Sequence, residues 1–244
     1  IPPSPLIMPT FTIDTIDPTV SSRWDSFLDY LEESGGPVGK ALSVNLLRRL
    51  TIEAPVVVGF CFACVLIHLL NDTVMPGVSF KMGVDDSFQA FSVMQYVRLL
   101  SHIFAHDGIN HLKGNMINLL LVGPSAEHVF GSYNMLIIFV LVAVTSAFAH
   151  IVVGGYHTRQ LGASGVCFAL ILLNSLVSAK AGKIPLSFLL TAGLWITDEV
   201  LRMVWSTDGV SHHAHLTGAI VGTLAGYELH RRQEQEKVRR IATA

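Results

Sequence analysis

Beyond residue 53 the chain alternates long apolar stretches with short polar breaks. Six apolar segments stand out, at about 54–70, 111–122, 135–153, 162–179, 184–204 and 214–229. A helix needs about 20 apolar residues, in a range of about 17 to 25, to cross the hydrocarbon core of a bilayer. The second, fourth and sixth segments sit at or below that limit. They also carry His111, Asn115, Asn118, Ser164, Asn174 and His215. Short polar helices make poor lipid-facing spans, because lipid offers no partner to a polar group. The pattern predicts an all-α, polytopic membrane protein, a six-helix bundle in which the longer helices surround the short polar ones.

The flanks read differently. Residues 1–53 are mixed and polar, with Pro2, Pro3, Pro5, Pro9 and Pro18. Ser22 is placed to cap a short amphipathic helix carrying Trp24, Phe27, Leu28 and Leu31. A second amphipathic stretch over 38–50 sets Lys40, Arg48 and Arg49 against Leu42, Leu46 and Leu50, as a helix lying on a bilayer surface would. Residues 71–110 form a long loop between the first two spans. Its Phe80, Phe88, Phe91, Met94, Tyr96 and Leu99 predict that it folds back onto the membrane surface. The tail, 231–244, has mixed charge and reads as a solvated helix end. Three parts follow: an amino-terminal region 1–53, a membrane domain 54–230 and the charged tail.

Composition supports the membrane reading. Apolar residues make up 51% of the chain and charged residues 14%, against a usual charged share of about 25%. Mean hydropathy is +0.53. A net charge of −2 gives no footprint for nucleic acid, so the lipid bilayer is the expected surrounding partner. Cys61, Cys64 and Cys167 all lie in apolar runs and read as small helix residues, the CxxC of the first two included. The chain begins at Ile1 rather than Met, as a processed or truncated product would.

Charge also gives an orientation. Arg23, Lys40, Arg48 and Arg49 precede the spans; Arg231, Arg232, Lys237, Arg239 and Arg240 follow them; Lys180 and Lys183 join the fourth to the fifth. Lys81, Arg98 and Arg159 lie on the other side. Basic residues favour the cytosolic face, so both termini are expected there or on the equivalent side of an organelle membrane. His111 and Asn115 begin the second span, Ser164 the fourth and His215 the sixth. Even-numbered spans all start on the non-cytosolic side, so these groups are expected in one leaflet at similar depth.

Each group has two readings. Ser164, in Gly162-Ala163-Ser164-Gly165, suits a nucleophile whose flanking glycines admit a substrate backbone; Gly-x-Ser-Gly serves equally as a small-residue helix contact. His215 precedes Gly218, Gly222 and Gly226, which share one helix face and permit close approach of the helix bearing Ser164. Neutral near pH 7, a histidine there can take a proton from serine. His212 and His213 could act instead, though a membrane-edge loop suits them better. His111 and Asn115, at i and i+4, offer two donors on one face, either for an oxyanion or for each other within the bundle.

Together, His111-Leu112-Lys113-Gly114-Asn115, Gly162-Ala163-Ser164-Gly165 and His215-Leu216-Thr217-Gly218, in this order on spans two, four and six, resemble the rhomboid family of intramembrane proteases. The resemblance covers residues 54–230. It implies a rhomboid six-helix bundle that cleaves transmembrane protein substrates with a Ser–His dyad. Ser164 would be nucleophile and His215 base, with His111, Asn115 and the Ser164 amide stabilising the oxyanion and no third acidic partner needed. Phe168 matches an aromatic beneath the catalytic histidine. Glu127, in Ala126-Glu127-His128-Val129-Phe130-Gly131, matches a structural glutamate after the second span. Arg98 and His102 match a loop motif whose Trp is here Val97. No cofactor and no metal are implied.

Two rivals compete. A metal-dependent membrane hydrolase or transporter is suggested by eleven histidines, including the pair His102 and His106 and the cluster His212, His213 and His215. Against it, His102-Ile-Phe-Ala-His106 lacks the glutamate of HExxH, and the only acidic residues expected near either group are Asp107 and Asp208. A catalytically inactive rhomboid-like protein that binds membrane helices would typically have lost the serine or the histidine, and both are present.

Overall fold

In a computed structural model, residues 26, 52–85, 91–153, 158–177, 186–205 and 212–243 are described. The chain divides into two compact units, Ile1–Pro55 and Val56–Ala244. In the first, Ser26 is helical and exposed. The helices expected around Trp24 and over 38–50 lie outside the described residues, as do Phe88, Lys180, Lys183 and Asp208.

The second unit is built on helices. They are α1 (Pro55–Thr73), α2 (Val78–Met82), α3 (Val93–Ser101) running into a 3₁₀ turn (His102–Phe104), α4 (Ile109–Phe130), α5 (Ser132–Val153), α6 (Ser164–Val177), α7 (Leu186–Trp205) and α8 (His212–Thr243). Among the described residues α1 and α5 are long and apolar enough to cross a membrane. Their outward faces are unusually apolar: Phe62, Leu66 and Leu69 on α1, and Leu136, Val140, Phe148 and Val152 on α5, are all exposed. Such a surface suits lipid, not water.

Helix α6 sits at the centre. Its 14 residues span about 21 Å, too short for a hydrocarbon core of about 30 Å. Val166, Cys167, Ala169, Leu170, Leu172 and Leu173 are buried, shielded from lipid by α8, α4, α5 and α7. Two segments are longer than their apolar stretches. Helix α4 runs 22 residues through Pro124, so Glu127 lies within its last turn and not after it. Helix α8 runs 32 residues into the tail. There Glu228 pairs with Arg231 and Arg232, Glu234 with Lys237 and Glu236 with Arg240, at the i, i+3 and i, i+4 spacings that sustain an exposed helix. Apolar runs mark only what is buried or lipid-facing, so they understate both helices.

The stretch between α1 and α4 is organised rather than a plain loop. Besides α2 and α3 it holds β1 (Val84–Asp85), which pairs antiparallel with β2 (Arg159–Gln160), Val84 opposite Gln160. Asp85 pairs with both Arg98 and Arg159. Arg98 Nε also donates to the Lys81 carbonyl at 2.9 Å, and the Arg159 guanidinium lies 3.8 Å over the Phe80 ring. This lattice ties the segment to the residues just before Ser164. Val93, Met94, Tyr96 and Val97 on α3 stay exposed.

Glu127 joins the two ends of the bundle's first half. Helix α1 opens on Pro55, which has no N–H, so Val56 and Val57 carry its first free amides. They donate to Glu127 Oε1 at 3.0 Å and Oε2 at 2.9 Å, and Ser132 Oγ donates to Oε1 at 2.6 Å. Glu127 is thus a cap supplied by another helix, at the end where a helix dipole favours an acidic group. Glu127→Ala strands these donors at about 1–3 kcal/mol each. Thermal unfolding in detergent should show a loss of about 3 kcal/mol, while Glu127→Gln, which keeps an acceptor oxygen, loses less.

Candidate functional site

Ser164 opens α6 after a strained turn. Gly162 has φ +115°, a conformation that side chains rarely adopt. A Cβ there would come within 2.6 Å of His111 Nε2, so glycine is required twice over. The Gly162 amide donates to the His102 carbonyl at 2.9 Å, and the Ala163 amide to His106 Nε2 at 3.5 Å. Burial pushes both of those imidazoles down to about 4. His106 therefore stays neutral near pH 7 and keeps a lone pair for Ala163. The Ser164 amide comes next, in the first turn of a helix, where no intrahelical acceptor exists.

His215 lies in the first turn of α8, with Nε2 2.6 Å from Ser164 Oγ. The glycine face makes that approach possible. A Cβ on Gly218 would stand 3.5 Å from the Gly165 Cα; one on Gly222 would overlap Ala169 at 2.5 Å, and one on Gly226 Leu173 at 2.5 Å. Small residues thus let α6 and α8 run together in register. Below His215 lies Phe168, ring centroids 5.9 Å apart, and Phe168 stacks on Trp195 of α7 at 4.3 Å.

His111 and Asn115 project from α4 toward the same place. Asp107 N–H reaches His111 Nδ1 at 3.4 Å, which leaves Nε2 as the N–H donor, facing Gly162. Asn115 is buried, and its Nδ2 has no hydrogen-bond partner among the described residues. Ser164, His215, His111, Asn115 and Phe168 all line one cleft of about 750 Å³. Of the remaining expected site residues, Gly162 and Gly165 flank the serine, and Gly218 and Gly222 seat α8. Arg98 and Glu127 lie away from the cleft and act on the frame.

Two expectations need correction. His212 is not a loop residue: it is buried as the first residue of α8. Nor are Asp107 and Asp208 the only acidic neighbours of these histidines. Glu199 of α7 is buried beside them, Oε2 2.6 Å from His212 Nδ1 and Oε1 3.5 Å from His215 Nδ1. The ligand-type atoms of Glu199, His212 and His215 lie within 4.8 Å of one another. Glu199 had a signal in the sequence, since an acidic residue in an apolar segment marks a candidate site.

The Rhomboid domain family matches residues 93–232, more than half of the chain and every residue that lines the polar end of α4, α6 and α8. The chain is 27% identical over 149 residues to RHOMBOID-like protein 12, mitochondrial, of Arabidopsis thaliana, covering 52% of this chain and 44% of that protein. It is 29% identical over 135 residues to the Rhomboid protease GluP of Bacillus subtilis, covering 55% and 26% respectively. It is 24% identical over 193 residues to the Rhomboid protease GlpG of Serratia proteamaculans, covering 75% and 66%. The chain thus spans between about a quarter and two thirds of these relatives' lengths. The extent of the domain match decides the family: this chain belongs to the rhomboid family and is a helical integral membrane protein.

Proposed function

We propose that the chain is an intramembrane serine endopeptidase, with Ser164 as nucleophile and His215 as general base. The observation that carries this reading is the 2.6 Å contact between Ser164 Oγ and His215 Nε2, in a cleft that also holds two side-chain donors. A substrate helix enters from the bilayer and unwinds locally to expose a peptide carbonyl. Ser164 Oγ attacks the carbonyl carbon as its proton passes to His215 Nε2. The oxyanion is held by His111 Nε2–H, Asn115 Nδ2–H and the Ser164 amide. His215 then gives the proton to the leaving amine, and water, activated by the same histidine, hydrolyses the acyl-enzyme. The basic residues that flank the spans support cytosolic termini and a cleft that opens to the other side.

An active-site-directed fluorophosphonate tests this against an inactive, helix-binding relative. Wild type should be labelled and Ser164→Ala should not; no labelling of wild type would favour the inactive reading. One observation favours a metal-dependent hydrolase instead, the Glu199, His212 and His215 trio. A metal on His215 Nδ1 would leave Nε2 protonated and unable to take the Ser164 proton, so the two readings exclude each other. Activity lost to a strong chelator and restored by zinc would decide for the metal.

A further inference from the structure

We infer that Glu199 is a positioning residue that turns the Ser164–His215 pair into a Ser–His–Glu relay, with His212 clamping the far side of its carboxylate; this rests on the serine-protease reading above. His215 can accept a proton at Nε2 only if its ring proton sits on Nδ1. Nδ1 faces Glu199 Oε1 at 3.5 Å, so Glu199 selects the tautomer that leaves Nε2 free toward Ser164. When the serine proton arrives, His215 becomes a cation, and the carboxylate opposite stabilises that charge.

His212 fixes the carboxylate. Its Nδ1 donates to Oε2 at 2.6 Å, the shorter of the two contacts, and anchors Glu199 to the first turn of α8. Each oxygen then serves one histidine of the same helix, three residues apart. The arrangement also accounts for an acidic residue buried among apolar helices, which is costly unless the group is hydrogen-bonded. Phe168 of α6 lies against the His215 ring, and Trp195, one turn before Glu199 on α7, backs Phe168. Helix α7 thus supplies the acid and the support behind the ring floor.

The experiment uses the full chain, purified and reconstituted in vesicles. It follows kcat and KM for a transmembrane reporter, the rate of fluorophosphonate labelling, and thermal unfolding. Glu199→Gln keeps the shape and removes the charge. It should lower kcat and the labelling rate together by about 10- to 100-fold, less than the about 10⁴-fold seen for a tightly bonded triad acid because the contact is long. KM and the unfolding temperature should stay near wild type. Glu199→Asp should recover part of the rate. A Glu199→Gln enzyme at wild-type rate, with Ser164→Ala inactive, overturns the inference and leaves the protease reading intact. Rate and unfolding temperature falling together in both variants, with no recovery in Glu199→Asp, reduces Glu199 to a structural residue and also overturns it. Turnover that persists in Ser164→Ala removes the protease reading and this inference with it. Chelator-sensitive activity restored by zinc would assign the trio to a metal instead.

Discussion

Ser164→Ala should end cleavage of a transmembrane reporter in vesicles, with a fall in kcat of about 10⁶-fold, and His215→Ala should fall about as far. The double variant should be no slower than either single one. In the proposed reaction nucleophile and base act as one unit across a 2.6 Å contact, so removing one removes the use of the other. Residual turnover would come from substrate binding and the oxyanion donors alone. Ser164→Ala should not disturb packing, because Gly165, Gly218 and Gly222 fill the α6–α8 seam, whereas His215→Ala also gives up the ring's contacts with Phe168 and Glu199. Losses that multiply in the double variant would mean that the two residues act independently. Full activity in Ser164→Ala would end the protease reading.

How much of this site the sequence exposes depends on where each residue sits in the topology. Ser164, His215, His111 and Asn115 all begin even-numbered helices, and the starts of alternate helices gather at one end of a bundle. Their meeting in one cleft therefore follows from the order of apolar segments. Glu199 escapes that argument because it lies toward the far end of α7, whose direction is opposite. The ends of odd-numbered helices reach the same place as the starts of even ones, and a search confined to starts passes over them. His212 is missed for a local reason. It precedes the apolar run, although α8 already begins there, held by its bond to Glu199. His106 and His102 act on Gly162 and Ala163 across more than 55 residues of sequence, through a carbonyl and a ring nitrogen that no spacing rule picks out. The β1–β2 pair, two residues per strand, is too short to leave a pattern.

Asn115→Ala should lower kcat by about 10²–10³-fold with little change in KM, and His111→Ala by a similar amount. The two residues differ in what the resting protein shows. Asn115 Nδ2 is buried and has no partner among the described residues. A buried donor left unsatisfied costs about 1–3 kcal/mol. An oxyanion forming at Ser164 supplies the missing acceptor at the moment the barrier is crossed, so the bond lowers the transition state and not the ground state. If instead Asn115 served the bundle by bonding to His111, its loss would destabilise the fold. The two roles therefore predict different outcomes in one pair of measurements. For an oxyanion donor, kcat collapses while the unfolding temperature moves little, since Asn115→Ala gives up only the weak bond from Cys167 Sγ to Asn115 Oδ1 at 3.6 Å. For a structural bond, the unfolding temperature falls and the activity of the protein that remains folded is kept.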